Sequence, residues 1–299
     1  MRVILTAAAK RLIAISVIGK TPLGFVFRPL STDNMSIRLF EGKDHAKLYA
    51  RYRPTYTSEV YDEIRKYCQL PEGSGCHKAV DVGCGNGQST LPLKNIFENV
   101  IGIDISDKQI SEAKKQSNSI DFKTGPAEDL SFLGNETADL VTTAQALHWM
   151  DRPRFFNEVR RVLRPGGALA VYGYGNCAID SEEGQRIVWQ FYKETLDGYW
   201  DEQRRHIDDC LATIDMPFEG WSRLDTLCIS RTWDVDAFVG YLSSWSAWQT
   251  FLKSHPNSPI LEDIRKRLRT IYTNDDTQEV TSVGVTWPIY MLMGRKRKD

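Results

Sequence analysis

The stretch AVDVGCGNGQST, Ala79 to Thr90, places Gly83, Gly85 and Gly87 at alternate positions directly after a short apolar run, with one acid, Asp81, just ahead of them. Glycine is selected where the backbone must take a positive φ or let another group come very close, at a cost in conformational entropy. A strand followed by such a loop is therefore read as the start of a ligand site.

Outward from this loop the pattern alternates. Val80–Val82 is β-rich, QSTLPLKNIF is helix-like, NVIGIDIS is a second apolar run, and DKQISEAKKQS is an amphipathic helix capped at Ser106/Asp107. IDFKTG, ADLVTTAQALHW, the helix RPRFFNEVRRVL stopped by RPGG, and ALAVYGYG continue the alternation. Strands separated by helices of this length form βαβ units around a parallel sheet with right-handed crossovers. The fold class expected is α/β, a Rossmann-like doubly wound sheet with helices on both faces. Past residue 180 the chain becomes aromatic. EEGQRIVWQFYKETL, VDAFVGYLSSWSAWQTFL and ILEDIRKRLRTIY read as helices, LDTLCISRTW as a strand and SVGVTWPIYMLMGRK as a closing strand at about 281–296. Ahead of the sheet, DHAKLYARYRPTYTSEVYDEIRKY reads as one or two helices broken at Pro54. The cofactor-binding core is expected at about 76–176, with substrate and lid elements at 36–75 and 178–270 in a single domain over 35–299.

The 299 residues, 41% hydrophobic and 26% charged, suit a globular chain with a real core. A formal net charge of −1 provides no global field to draw nucleic acid or an anionic membrane. Six scattered cysteines show no C-x-x-C pair or zinc spacing, so reduced thiols and no metal are expected. Residues 1–34 carry no acid before Asp33 and are basic and amphipathic. They read either as a mitochondrial presequence or as an extension upstream of a start at Met35, and the longest apolar run, LIAISVIG, falls short of the about 20 residues a membrane span needs. A cytoplasmic location is expected, mitochondrial if residues 1–34 act as a presequence.

In an open α/β sheet, ligands bind beyond the carboxyl ends of the strands. Two ligand classes use a glycine loop there: dinucleotides, through G-x-G-x-x-G, and S-adenosylmethionine, which has no phosphate. The spacing here is G-x-G-x-G, and Asp81 would repel a pyrophosphate but could pair with a cationic amino group, directly or through water. Asp104, ending the second strand, is placed to accept from two ribose hydroxyls, and in GPAEDL either Glu128 or Asp129 could read an adenine edge.

VDVGCGNG, GIDIS, GPAEDL, DLVTTAQALHW and RVLRPGGALAVYGY together resemble a class I S-adenosylmethionine-dependent methyltransferase of the small-molecule type. More narrowly, LFEGKDHAKLYARYRPTY, ALHWMDRPRFFNEVRRVLRPGGALAVYGY and YLSSWSAW resemble the trans-aconitate methyltransferase-like group. The resemblance implies a seven-stranded sheet with a helical, aromatic lid, S-adenosylmethionine as cofactor, and cofactor contacts at Asp81, Gly83, Gly85, Gly87, Asp104, Ile105, Ala127, Glu128 and Gln145, with Tyr52 and Arg53 in a segment that closes over the cofactor. Pro126 departs from the acid that the wider family often carries, which moves adenine recognition to Ala127 and Glu128.

Methyl transfer from a sulfonium is an in-line displacement that depends on positioning in a dry site. A carboxylate acceptor is already ionised and needs only cations and donors to orient it. An amine, phenol or enolic carbon needs a base, and His148 is the candidate. Trp149, Tyr199, Trp200, Trp245 and Trp248 are candidates for pocket walls, and Arg51, Arg53 and Arg231 for carboxylate binding; Cys84 is read as a packing residue. The function expected is methylation of a small molecule, with O-methylation of a carboxylate first. Alternatives are C-methylation of a quinone precursor and an inactive, partner-binding scaffold, and a monomer or weak homo-oligomer is expected.

Overall fold

The computed structural model describes residues 52–69, 76–274 and 276–298. The sequence expectations for residues 1–34 and for Arg51 lie outside the described residues, as does most of the helix expected before Pro54.

Helix α1 (Ser58–Tyr67) precedes β1 (Cys76–Val82), which leads into the glycine loop. β2 (Phe97–Asp104), α2 (Asp107–Gln116), β3 (Asp121–Thr124), β4 (Ala138–Ala144), α3 (Arg152–Val162) and β5 (Leu163–Tyr174) follow. β1 pairs in parallel with β2 and β4, β2 with β3, and β4 with β5. The spatial order β3-β2-β1-β4-β5 therefore reverses beside β1, where a doubly wound sheet opens its binding crevice. Every residue of β4 is buried, as a strand covered on both faces must be.

Local signals set the helix limits. Ser106 caps α2 by accepting from the Gln109 amide (3.4 Å), and Asp151 caps α3 by accepting from the Arg154 amide (3.3 Å), two residues before Pro153 in the first turn. Val60 and Ile64 of α1 join Ile110 and Ala113 of α2 in the hydrophobic core on one face of the sheet. Phe155, Phe156, Val159 and Val162 of α3 build the core on the other face.

The second half contains β6 (Ala178–Ile179), α4 (Glu182–Gln190) continued by a wide turn at Phe191–Thr195, and the short α5 (Arg205–Asp208). Then come β7 (Ser222–Leu224), β8 (Cys228–Trp233), α6 (Val235–Ser243), α7 (Ser246–Ser254), α8 (Ile260–Ile271) and β9 (Val283–Arg295). Long β9 runs antiparallel to β5, β6, β7 and β8.

Three expectations are corrected. The sheet has nine strands among the described residues, not seven. The excess arises because two rows are interrupted. Ala178 and Ile179 pair with Thr286 and Val285 on the edge of β9 that β5 occupies further along, since Ser230 and Arg231 hold the opposite edge of the same two residues. β7 and β8 likewise share that outer edge, broken between Leu224 and Cys228. QSTLPLKNIF forms only a 3₁₀ turn, Leu91–Asn95, because Pro92 lacks an amide donor and the hydroxyls of Ser89 and Thr90 are drawn to Asp81. The single helix expected over 235–252 is two, because the Ser244 hydroxyl turns back to the Tyr241 carbonyl (2.6 Å) and Arg53 takes the Ser244 carbonyl (3.1 Å) that a continuing helix would use.

Candidate functional site

The glycine loop is tied down before it reaches the crevice. The amides of Gly83 and Cys84 both donate to the Ile103 carbonyl of β2 (2.8 and 2.9 Å). Gly83, Gly85 and Gly87 all have positive φ, between 54° and 89°. A Cβ on Gly83 would stand 2.4 Å from the Ala146 Cβ, so this glycine permits the loop to press against the segment after β4. A Cβ on Gly85 would meet nothing within 4 Å, which leaves that backbone facing open space.

Asp81 lies beneath the loop rather than at its surface. It is fully buried, and its carboxylate accepts from the hydroxyls of Ser89 (2.9 Å), Thr90 (2.7 Å) and Thr142 (2.8 Å). Burial pushes its carboxyl above the usual range, and the three hydroxyls oppose that rise. The residue thereby joins β1, the loop and β4, and with three of about four acceptor positions taken it keeps about one for the contact, direct or through water, expected with a cationic amino group.

Asp104 takes the amide of Gly85 on one oxygen and that of Ser106 on the other, each at 2.9 Å. A carboxylate offers about four lone-pair positions, so about two remain. Beside it Ile105 is 49% exposed, a large apolar side chain left uncovered at the carboxyl edge of the sheet. Ala127 and Glu128 stand half-buried in the loop after β3, where Glu128 accepts from the Asp151 amide (2.7 Å) at the start of α3. Asp129 accepts from Ser131 (3.0 Å) and is exposed.

Gln145, just past β4, takes a φ of 53° and is held by three bonds. Its amide donates to Tyr172 (3.0 Å), its Nε2 donates to the Tyr174 carbonyl (2.9 Å), and its Oε1 accepts from the Tyr290 hydroxyl (3.1 Å). Gln145, His148, Tyr172, Ile207, Leu211 and Tyr290 line a narrow crevice between the strand ends and α5. His148 is buried, its ring 4.6 Å from that of half-buried Trp149. Desolvation first, then the charges of Arg204 and His206, lowers the His148 pKa to about 3, so the imidazole is neutral at physiological pH.

The remaining expected residues are dispersed. Tyr52 rests on Gly240 of α6, where an added Cβ would lie 2.5 Å from its ring. The Arg53 guanidinium stands 5.7 Å over Tyr241, and Arg231 donates to the Thr55 carbonyl and hydroxyl. Trp245 and Trp248, expected to line an open pocket, are corrected to core residues. They are buried in ring contact with Phe191, at 5.7 and 5.5 Å, and Trp245 also meets Tyr192, Trp200 and Tyr241. Tyr199 packs edge-on against Phe251. The sequence reading missed Arg204, His206 and Tyr290. Arg204 and His206 sit in the run DEQRRH, which reads as ordinary surface charge, and Tyr290 lies in a strand that reads only as apolar. Among the described residues no group of acidic, Cys and His side chains could hold a metal, and no helix is long and apolar enough to cross a membrane.

A parallel sheet whose first strand ends in a positive-φ glycine loop, whose second ends in an acid, and which leaves an apolar side chain open beside that acid defines a nucleoside-binding α/β protein. A family model described as a methyltransferase domain matches residues 80–171. A protein of Dictyostelium discoideum described as a methyltransferase is 34% identical over 253 residues, 84% of this chain and 93% of that protein. A protein of Saccharomyces cerevisiae described as an S-adenosylmethionine-dependent methyltransferase is 27% identical over 84% of this chain and 95% of its own length. The structure of a type II methyltransferase from Anaeromyxobacter dehalogenans superposes with a TM-score of 0.69 at 32% identity, over 83% of this chain and 100% of that one. The chain belongs to the class I S-adenosylmethionine-dependent methyltransferases.

The edge fits that cofactor. The two remaining acceptor positions on Asp104 match the two hydroxyls of a ribose, the uncovered Ile105 offers an apolar face to a flat base, and the open side of Gly85 leaves room for close approach.

Proposed function

We propose that this methyltransferase acts on a small molecule and esterifies a carboxylate. The observation that supports this reading is the state of His148: an imidazole with a pKa lowered to about 3 is a weak base at neutral pH, and it is the histidine that lines the crevice. An amine, a phenol or an enolic carbon has to lose a proton to react, whereas a carboxylate arrives ionised. The resemblance to the trans-aconitate group points the same way.

In this reading Asp104 accepts from the ribose hydroxyls and Ile105 covers one face of the adenine, with Ala127 and Glu128 at its edge. Gly83, Gly85 and Gly87 let the backbone pass close to the cofactor, while Asp81 holds the loop from below through Thr90 and Thr142. Gln145, fixed by β5 and β9, sets the wall between cofactor and acceptor. The sulfonium supplies an electrophilic methyl, so an acid's negative charge and the cofactor's positive charge cancel as the O–CH3 bond forms and the S–CH3 bond breaks, with no proton to move. His148, being neutral, serves as a hydrogen-bonding group for the acceptor, and Trp149 shields it from water.

The test is incubation of the purified chain with S-adenosylmethionine and a panel of carboxylic acids, amines, phenols and quinone precursors, with products identified by mass spectrometry. Base-labile methyl esters are the expected product. Methylation confined to nitrogen, phenolic oxygen or carbon would overturn the carboxylate reading.

A further inference from the structure

Arg204 is a guanidinium fixed on three edges. Its Nε donates to the Tyr192 hydroxyl (3.3 Å) and lies 3.5 Å from the Asp208 carboxylate, and its Nη2 donates to Asn176. Its plane is held 4.9 Å over the Trp200 ring and 5.7 Å over Tyr192. Among the described residues Nη1 has no hydrogen-bond partner, and the side chain keeps 22% exposure. Both N–H donors of Nη1 are thus uncommitted, on a rigidly oriented cation. Asp208 does not pair with it in the bidentate way that would use the guanidinium fully, because the same oxygen also accepts from Tyr192 and from Asn176 (3.1 Å).

Asp208 meets Arg204 on its Nε side alone, and among the described residues no anion meets Nη1. The turn at Leu147–Trp149, which carries His148, packs against the 202–204 turn that ends in Arg204. Arg53 lies over Tyr241, and the rings of Tyr241 and Tyr192 both meet Trp245 edge-on, at 5.8 and 5.6 Å. The two guanidiniums therefore flank one indole, near enough that both charges act on the buried Cys177 thiol. Arg152 bonds His206 of α5 (3.0 Å). The charge of Arg204, acting on a neutral imidazole in a partly dry site, favours an incoming negative charge.

We propose that Arg204 is the specificity-determining residue for the acceptor, receiving its carboxylate end-on through Nη1. This rests on the carboxylate reading of the reaction. Contact through one nitrogen engages one oxygen and leaves the second uncompensated as the nucleophile, whereas a bidentate clamp would mask both. The aromatic seat under the guanidinium lets it stay aimed before an acceptor arrives.

The experiment compares wild type with Arg204→Lys and Arg204→Met as full-length proteins. Calorimetric titration with S-adenosylmethionine reports folding and the cofactor edge, and cofactor affinity within twofold of wild type is expected. With an acid found in the panel, KM should rise roughly ten- to hundredfold in Arg204→Met, less in Arg204→Lys, with a smaller change in kcat. Benzoate and its neutral isostere benzamide, followed by ligand-observed NMR, give a readout that needs no turnover. Wild type should prefer benzoate, and the preference should vanish in Arg204→Met. Unchanged KM in both variants, or a benzoate preference that survives the substitution, overturns the role of Arg204. Should Arg204→Met fail to bind cofactor, the Lys variant decides by the same criteria. If benzoate binds through Arg204 yet the panel produces no ester, the carboxylate esterification fails while the anion site stands.

Discussion

The glycine-loop edge and the helical cap hold their groups in different ways. At the edge, backbone amides meet one carboxylate and one carbonyl at the end of β2: Gly85 and Ser106 on Asp104, Gly83 and Cys84 on Ile103. In the cap, Arg204, Tyr192, Trp200 and Trp245 meet through their side chains, and each ring touches several others. An edge built of main chain resists added atoms but tolerates exchange of neighbouring side chains. A cap built of rings can change its chemistry at one position, and loses its packing when a ring is removed.

The sharpest test of that contrast is Trp248→Ala. Removing a side chain only 3% exposed should destabilise the fold by about 3–5 kcal/mol, read from urea unfolding. A small stability change with a raised acceptor KM would return Trp248 to the pocket wall. Gly83→Ala is the corresponding test at the edge: a positive φ and an overlap with Ala146 should cost about 2–4 kcal/mol. Asp104→Ala should cost about 1–3 kcal/mol of stability, because the Gly85 and Ser106 amides lose their acceptor, and should weaken S-adenosylmethionine roughly 30- to 100-fold by calorimetry as the two charge-assisted bonds to the ribose are lost. An unchanged affinity would remove the ribose role.

His148 joins the two regions, and pH reads it. Its folded pKa of about 3 lies below its ordinary value of 6.5, so between those values the unfolded state binds more protons. The stability that the neutral ring contributes is complete above pH 6.5 and is lost as pH falls toward 3, with a slope of up to about 1.4 kcal/mol per pH unit. His148→Gln should flatten that slope in pH-dependent denaturation. The smallest effect belongs to Gly85→Ala: with no neighbour within 4 Å, only the positive φ opposes it, at about 1 kcal/mol of stability. A much larger loss of cofactor affinity than of stability would locate the close approach there.

The same contrast explains what the sequence could disclose. Asp81, the glycines, Asp104 and the Ser106 cap carry signals in local spacing, so the α/β sheet and the position of the crevice follow from a short stretch. The depth of Asp81 does not, because Thr142, one of its partners, is distant in the chain. Trp245 and Trp248 show a helical period that fits a core and a pocket wall equally well. Arg204 carries no signal of its own; its setting depends on Asn176, Tyr192 and Trp200, contributed by separate segments. The interruptions that raise the strand count lie at Gly175–Cys177 and Asp225–Leu227, where composition alone does not mark a break.

β9 lies between the row of β5 and β6 and the row of β7 and β8, although it follows all of them in the chain. During synthesis the parallel half can close as soon as β5 emerges, while the apolar edge of β5 waits for its partner until Val283–Arg295 has been made. For that interval β5, Leu163–Tyr174, is an unguarded strand edge, the kind of surface that recruits other chains. A chain cut before Val283 would leave β5 without its antiparallel neighbour and present that edge as a template for aggregation.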